Sequence, residues 1–223
     1  MSMVDWAAIE SVFLDMDGTL LDLHFDNHFW LSHVPVRYAE RHGLPLEAAQ
    51  ADLKGRYARV AGTMQWYCVD YWSEQLDLDI AALKAEVRHL IAVHPHVHDF
   101  LAFLRRAGKR IALVTNAHAK SLSLKMDCTG LAPHFDAVFC AHALGLPKEH
   151  PEFWGRLRSV EPFVPERTLF IDDSLPVLRS AQAYGIAHLR SVRRPDSRQP
   201  PKAPEEFIAL ADFGELLPGA LGR

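Results

Sequence analysis

The sequence has few of the features that mark several large classes of protein. Its three cysteines stand in no Cys-x-x-Cys pair, which argues against a disulfide framework or a zinc ribbon. The formal charge is only −4, from 24 Lys and Arg against 28 Asp and Glu, and no long block of one sign indicates a nucleic-acid surface. We therefore expect free thiols, a cytoplasmic location and no nucleic-acid partner.

Long apolar runs are also missing. No segment approaches the roughly 20 apolar residues of a membrane-spanning helix, and residues 1–6 lack the basic and apolar regions of a secretory signal. We therefore expect a soluble protein with no membrane partner. The chain of 223 residues can build one core and still carry an inserted subdomain, since single domains commonly have about 100 to 200 residues.

Short apolar runs that end in polar residues recur along the chain, and each is typical of a buried parallel strand. We expect strands at residues 12–14, 111–114, 137–140, 168–171 and 186–190. Helical patterns lie between them, such as the apolar positions spaced i, i+3, i+4 and i+7 between residues 97 and 104. This alternation predicts an α/β fold with a doubly wound parallel sheet.

The interval from residue 23 to residue 93 breaks this rhythm. It contains helix-like stretches at residues 27–41, 46–60 and 80–91 and no convincing strand. We expect Pro35 to kink or divide the first of these helices, because proline cannot donate the backbone hydrogen bond of a helix interior. The expected organisation is a core formed by residues 1–22 and 94–223, with residues 23–93 inserted after the first strand as a helical cap.

The polar residues at the ends of the predicted strands are candidates for one shared site, because ligands of an open α/β sheet collect at the carboxyl ends of its strands. The candidates are Asp15, Asp17, Thr115, Asn116, Lys148, Asp172 and Asp173. A cluster of carboxylates is tolerable only if protons or a cation neutralise it. Oxygen ligands suit Mg²⁺, so we expect a Mg²⁺ site that includes Asp15, Asp17, Asp172 and Asp173, with the direct ligand of the last pair left open.

Phosphoryl transfer needs an in-line nucleophile, countercharge on the phosphate oxygens and a proton for the leaving oxygen. Asp15 can attack phosphorus to give an aspartyl-phosphate, and Asp17 can protonate the leaving alkoxide and later accept a proton from water. Gly18 lets the chain turn so that both carboxylates face one phosphate. The remaining phosphate ligands are expected to be Thr115, the backbone N–H of Asn116 where a helix begins, and Lys148.

These segments together resemble a known superfamily. The resemblance rests on Asp15-Met16-Asp17-Gly18-Thr19-Leu20, Thr115-Asn116, Lys148 and Asp172-Asp173, which are similar to the four motifs of the haloacid dehalogenase-like hydrolases. Further segments also resemble the bacterial GMP/IMP nucleotidases, namely Leu21-Asp22-Leu23, Phe25-Asp26-Asn27, Phe29-Trp30, Gln65-Trp66-Tyr67-Cys68 and Tyr71-Trp72-Ser73-Glu74-Gln75-Leu76. One departure is Glu149-His150, where many relatives have Pro-Asp.

The resemblance implies a 5′-nucleotidase with a helical cap and assigns the site residues their roles. Asp15 is the nucleophile, and Asp17 is the acid/base and also a Mg²⁺ ligand through its backbone carbonyl. Thr115 and Lys148 bind phosphate. Asp172 and Asp173 are the remaining metal ligands.

We therefore expect a Mg²⁺-dependent phosphatase for small phosphate monoesters, with a purine nucleoside monophosphate as the first candidate substrate. A sugar-phosphate phosphatase or phosphomutase would use the same Asp15 chemistry with a different cap pocket. A dehalogenase is disfavoured because Asp17 supplies the proton relay that phosphate esters need. A non-catalytic nucleotide-binding regulator is an alternative from another class, and candidates for every catalytic role argue against it.

A group of aromatic residues allows two interpretations. They are Trp30, Trp66, Tyr67, Tyr71 and Trp72. Flat aromatic faces can stack on a purine over the phosphate site. Large aromatics also dominate small cores, so we expect most of these residues to pack in a core and one or two to line the pocket.

Polar residues near the two ends of the insertion also leave alternatives open. His94, His96 and His98 alternate as in some zinc sites, but Pro95 and their position favour a connector. Asp22, Asp26 and Asn27 can close over a substrate from the first hinge. Asn27 could equally be a helix N-cap.

Overall fold

A parallel β-sheet forms the centre of the molecule in the computed structural model, which describes residues 4–203 and 206–218. The described strands are β1 (Ser11–Leu14), β2 (Arg110–Thr115), β3 (Ala137–Cys140), β4 (Thr168–Ile171), β5 (His188–Val192) and β6 (Ala209–Leu210). Their order across the sheet is β3-β2-β1-β4-β5-β6, and every neighbouring pair is parallel. The predicted doubly wound α/β fold is confirmed.

The central strands are apolar because they have no solvent-facing side. All four residues of β1 and all four of β4 are buried, as expected for strands covered on both faces. The boundaries of β5 differ from the predicted strand at residues 186–190 by two residues at each end. The two-residue strand β6 was not predicted, since so short an element has no periodicity to detect.

The chain between β1 and β2 forms a helical segment, by which we mean residues 24–90. Its helices are α1 (His24–His28), α2 (Val34–His42), α3 (Leu46–Val60), α4 (Met64–Tyr67), α5 (Val69–Leu76) and α6 (Ile80–Glu86), with a π-helical turn at Phe29–His33 and a 3₁₀ turn at Arg88–Leu90. The first predicted helix is divided ahead of Pro35, which lies in the first turn of α2. The division is a π-helical turn and not a break in the helix, since the Val34 backbone N–H donates to the Phe29 carbonyl.

The helical segment has a hydrophobic core of its own. Phe29 and Leu76 in this core are fully buried, and its buried residues are distinct from those of the two clusters on the faces of the sheet. The two connections to the sheet lie side by side, because Leu21 forms an antiparallel bridge with Val93. The helical segment therefore leaves the sheet and rejoins it at one place.

Further helices cover the sheet. They are α7 (Val97–Arg106), α8 (Ala119–Thr129), α9 (Ala141–Leu144), α10 (Phe153–Val160) and α11 (Leu175–Tyr184). In α7 the predicted apolar face is confirmed, since its apolar positions between residues 97 and 104 are buried. No helix within the described ranges combines the length and apolar character that crossing a membrane requires.

Candidate active site

The polar residues that follow the strands meet at the carboxyl edge of the sheet. A cavity of about 350 Å³ lies there, between the sheet edge and the helical segment. Its lining includes all of the site residues predicted from sequence, namely Asp15, Asp17, Thr115, Asn116, Lys148, Asp172 and Asp173. The structure therefore brings these side chains to one place, while their chemical roles stay predictions.

Three carboxylates form a compact group at the floor of the cavity. Asp15, Asp172 and Asp173 each present an oxygen atom, and these three atoms lie within 4.8 Å of one another. The side chain of Asp17 is not a member of this group and instead contacts Lys125. A metal contact of Asp17 through its backbone carbonyl remains a prediction.

The three grouped carboxylates are hard to ionise together. Burial, followed by the charges of neighbouring carboxylates, raises the pKa of Asp15 and of Asp172 to about 6 and that of Asp173 to about 7, although Lys148, and for Asp173 also Lys202, act in the opposite direction. Such a group requires added positive charge at neutral pH. Buried carboxylate oxygens at this spacing fit a hard divalent cation such as Mg²⁺.

Lys148 supplies part of that positive charge. Its side chain is 2% exposed, and its Nζ donates to Asp15 Oδ1 at 2.5 Å, to Asp172 Oδ2 at 2.6 Å and to the Val114 carbonyl at 3.0 Å. Burial alone would lower the pKa of Lys148, but Asp15 and Asp172 outweigh it and raise that pKa. Lys148 therefore stays charged and orients the Asp15 carboxylate.

The turn after Asp17 requires glycine for two reasons. Gly18 has a φ of +82°, a backbone conformation that residues with a Cβ rarely adopt. A Cβ at this position would also lie 2.7 Å from Cγ of Asp173. The close approach of the β1 loop to the acidic group therefore depends on the missing side chain.

The loop after β2 is tied to the loop that carries Lys148. Asn116 Oδ1 accepts a hydrogen bond from the Lys148 backbone N–H at 2.9 Å, and its Nδ2 donates to Glu149 Oε2 at 2.9 Å. Thr115 Oγ1 accepts from the backbone N–H of Ala117 at 3.0 Å. The expectation that a helix begins at these residues is wrong, since α8 begins at Ala119 and residues 116–118 form a loop.

Asp17 belongs to a partly buried network of alternating charges. Lys125 Nζ donates to Asp17 Oδ1 at 2.6 Å and to Asp26 Oδ2 at 2.5 Å, while Lys84 Nζ donates to Asp26 Oδ1 at 2.8 Å. The two lysine side chains are only 1% and 4% exposed. Sequence reasoning missed both lysines, because a lysine in a helix is ordinarily solvent-facing.

Burial and ion pairing act against each other in this network. Burial raises the pKa of Asp17 to about 6, with Lys125 opposing the rise. For Asp26, burial is again the largest influence, but Lys125 and Lys84 together outweigh it and hold its pKa below the usual range. Asp17 therefore has a pKa suited to giving and taking a proton near neutral pH.

Aromatic side chains of the helical segment form one wall of the cavity, and more of them line it than the one or two expected. The lining includes Trp30, Tyr57, Trp66, Tyr67 and Trp72. Tyr57 was not predicted. Trp72 belongs to the core of the helical segment, and Trp30, Tyr57 and Trp66 pack against that core, so the same aromatic residues contact the core and line the cavity.

Polar bridges join the helical segment to the loops of the sheet. Tyr67 Oη donates to Glu149 Oε1 at 2.9 Å, and burial followed by the Glu149 charge raises the pKa of Tyr67. Lys120 Nζ in α8 donates to Asp70 Oδ1 at 2.6 Å. Glu149, the residue after Lys148, thus contacts both Tyr67 and Asn116.

The alternating histidines do not form a metal site. Their rings contact separate partners, which are the Pro195 carbonyl, the Asp99 carboxylate and the His134 ring. Within the described ranges, the acidic group is the single set of three or more potential ligands that converges. The connector interpretation of residues 94–98 is consistent with the pairing of Val93 and Leu21.

The three polar residues near the start of the helical segment, Asp22, Asp26 and Asn27, divide into two kinds. Asp26 and Asn27 line the cavity, whereas Asp22 accepts hydrogen bonds from the backbone N–H groups of His24 and Ser197. The N-cap interpretation of Asn27 is wrong, because α1 begins at His24. The Asn27 amide instead donates to the Asp196 carboxylate at 2.7 Å.

Comparison with known proteins places the chain in a family. GMP/IMP nucleotidase YrfG of Escherichia coli (strain K12) is 38% identical over 218 residues, which cover 98% of each chain. Phosphoglycolate phosphatase of Pseudomonas putida KT2440 is 26% identical over 217 residues, which cover 93% of this chain and 78% of that protein. The crystal structure of HAD phosphatase from Thermococcus onnurineus shares the fold, with a TM-score of 0.76, 21% identity and coverage of 93% of this chain and 96% of that one.

The family model described as haloacid dehalogenase-like hydrolase matches residues 9–185. This match covers most of the chain and includes every predicted site residue. The superfamily resemblance and the prediction of a hydrolase are therefore confirmed. The chain belongs to the haloacid dehalogenase-like hydrolase family.

Proposed function

We propose that this chain is a Mg²⁺-dependent phosphatase that hydrolyses purine nucleoside 5′-monophosphates through an aspartyl-phosphate on Asp15. The observation that carries the proposal is one cavity that combines an acidic group at its floor with an aromatic wall. The floor suits a phosphate and its cation, and the wall suits a flat base. The similarity to a GMP/IMP nucleotidase over nearly the whole chain supports the same choice of substrate.

In this proposal residues 1–22 and 94–223 form the hydrolase core, and residues 23–93 form a cap. The separate hydrophobic cluster and the paired connections at Leu21 and Val93 support this division, since adjacent connections allow a segment to move as a unit. Closing the cap over a substrate excludes water from the phosphate.

The first chemical step is attack by Asp15 on phosphorus while the nucleoside oxygen departs. Lys148 holds the attacking carboxylate through the contact between its Nζ and Asp15 Oδ1. Thr115 and Asn116 hold the phosphate oxygens from the loop after β2. Asp17 gives its proton to the departing oxygen, which avoids release of an alkoxide.

The second step is hydrolysis of the aspartyl-phosphate. Asp17, now ionised, takes a proton from the attacking water, which returns Asp17 to its starting state and frees Asp15. Asp15, Asp172 and Asp173, with the backbone carbonyl of Asp17, would hold Mg²⁺. When bound, Mg²⁺ offsets the negative charge that phosphate and carboxylates bring together.

The leaving group is recognised by the aromatic wall. Trp66 and Tyr67 lie in α4 and face the same cavity as Asp15, so a base attached to the bound phosphate can reach them. Stacking a base on an aromatic ring contributes about 1–3 kcal/mol. We expect purines, with their larger rings, to benefit more than pyrimidines.

A panel of monophosphates tests the proposal by measuring inorganic phosphate release with Mg²⁺. We expect kcat/KM for IMP and GMP to exceed that for pyrimidine nucleotides and sugar phosphates by about tenfold, since 1.4 kcal/mol of extra stacking is a factor of ten. The Asp15→Asn protein, prepared in parallel, controls for contaminating phosphatases.

The other outcomes separate the alternatives. A preference for phosphoglycolate, the substrate class of one similar protein, or for sugar phosphates would keep the phosphatase and reject the purine specificity. Isomerised sugar phosphate without free phosphate would indicate a phosphomutase. If no monoester is hydrolysed while nucleotides still bind, the chain is a regulator.

A further inference from the structure

Lys125 is a buried cation that contacts Asp17, a residue of the cavity lining. It lies in α8, its side chain is 1% exposed, and its ammonium contacts two carboxylates. Lys125 is not one of the described residues that line the cavity. Lys125 therefore cannot act by touching the phosphate ester, and any effect on the reaction passes through the groups that it holds.

The two oxygens of Asp17 have different surroundings. Oδ1 accepts the Lys125 ammonium at 2.6 Å, whereas no hydrogen bond from the described residues reaches Oδ2, and the residue lines the cavity. A carboxylate held by one oxygen cannot rotate freely, so the other oxygen keeps a constant direction. A proton-transferring group needs this arrangement, because the oxygen that carries the proton must lie within hydrogen-bond distance of one particular substrate atom.

The helical segment holds Lys125 from its other side. Asp26 in α1 accepts from Lys125 through Oδ2, and its Oδ1 accepts from Lys84 in α6. If the Asp26 contact were lost, Asp17 would be the remaining carboxylate in contact with Lys125. A buried lysine without a partner is very costly, so Lys125 and the carboxylates it contacts are held together. The position of Asp17 is therefore linked, through one ammonium, to the position of the helical segment.

We propose that Lys125 is a positioning residue that directs Asp17 toward the leaving oxygen, and that Asp26 couples this positioning to the seating of the helical segment on the core. This inference rests on the proposed function, in which Asp17 is the acid and base. It adds that the proton-transfer geometry is set by two residues outside the four sequence motifs.

The test compares leaving groups in the full-length protein with Mg²⁺. Lys125→Met keeps the length of the side chain and removes its charge. The nucleoside oxygen of IMP needs a proton to leave, whereas 4-nitrophenolate leaves without one. We expect the single-turnover rate of IMP cleavage to fall by about 10- to 100-fold, which is at or below the lower end of the about 100- to 10,000-fold that general acid catalysis contributes, because Asp17 is misdirected and not removed. The rate of the 4-nitrophenolate burst should change by less than about threefold.

The KM for IMP should stay nearly constant, because Lys125 does not line the cavity. Lys120→Met is the matched control. Lys120 lies in the same helix and also pairs with the helical segment through Asp70, but it does not contact Asp17. We expect Lys120→Met to leave both rates unchanged, so that loss of a bridging ion pair alone is distinguished from loss of the hold on Asp17.

Equal losses on both substrates, or no loss on either, would overturn the proposal. If Lys125→Met unfolds, Lys125→Arg is measured in its place. Arginine keeps the positive charge but places it at a different distance from the backbone. The same selective loss on IMP, at smaller size, is then expected, and a uniform change counts against the proposal. If the wild-type protein cleaves an alkyl monoester other than IMP, that ester replaces IMP. If it cleaves none, the proposed function itself has failed.

Discussion

Replacing Asp173 by asparagine should stabilise the metal-free protein at pH 8, and the stabilisation should shrink as the pH falls toward 5 and disappear below about pH 4. Burial and the neighbouring Asp15 carboxylate raise the pKa of Asp173 from 3.8 to about 7. The folded protein therefore prefers Asp173 protonated. Asparagine has the same shape and no charge, so it imitates the protonated form at every pH.

The sign of the stability change follows from the direction in which folding shifts the pKa of Asp173. Because the folded pKa lies above the unfolded one, the contribution of Asp173 is favourable below pH 4 and is lost as the pH rises through about 7. The rise in the pKa of Asp173 from 3.8 to about 7 corresponds to roughly 4 kcal/mol. For a protein of this size, about 1 kcal/mol moves the melting temperature by about 2–4 °C, so the variant should melt about 8–16 °C higher at pH 8.

The assay is thermal unfolding of the wild type and the variant in EDTA at pH 5, 6, 7 and 8. The difference between the two proteins reports Asp173 together with its coupling to Asp15 and Asp172, because groups far from the acidic group titrate alike in both. With Mg²⁺ at pH 8 the wild type should gain stability, since the cation binds the ionised carboxylates. The variant should gain less.

Equal melting temperatures in EDTA at pH 8, or a less stable variant, would refute the claim that the acidic group carries uncompensated charge. A difference that stays constant from pH 5 to pH 8 would also count against it, because the effect would then not come from ionisation. If Mg²⁺ stabilises both proteins equally, Asp173 is not a ligand.

Two further predictions concern catalysis and recognition. Asp15→Asn should lower turnover by about a thousandfold or more, as expected for loss of a nucleophile, while circular dichroism shows an intact fold; substantial remaining activity would contradict covalent catalysis. Trp66→Ala should raise KM for IMP by roughly 5- to 150-fold, equivalent to about 1–3 kcal/mol of stacking. Tyr71→Ala, from the same aromatic group but outside the cavity lining, should leave KM nearly unchanged, and equal effects would place the base elsewhere.

Much of the sheet could be predicted because buried parallel strands have a continuous apolar signal. The five expected strands are present, and the acidic and polar residues after them reach one cavity. The reason is geometric, since parallel strands end at a common edge and residues that follow them need no further information to meet. The helix at residues 46–60 was also predicted to its boundaries, because short non-helical segments separate both of its ends from the neighbouring helices.

Other features could not be predicted, because they depend on contacts between distant parts of the chain. Lys125 is separated from Asp17 by 108 positions, and no local pattern distinguishes it from an exposed lysine. Likewise, Tyr67 meets Glu149 across 82 positions. Local spacing also could not show that the same aromatic residues contact the core of the helical segment and line the cavity.

The sequence by itself determined the alternation of strands and helices, the helical insertion after the first strand and the residues that gather at the sheet edge. These depend on hydrophobic periodicity and on chain order, which are local properties. Only the tertiary structure decided which lysines are buried, which oxygen of Asp17 is held and which aromatic faces line the cavity. A buried charge is stable only beside its partner, and the partners come together only when the helical segment lies on the core.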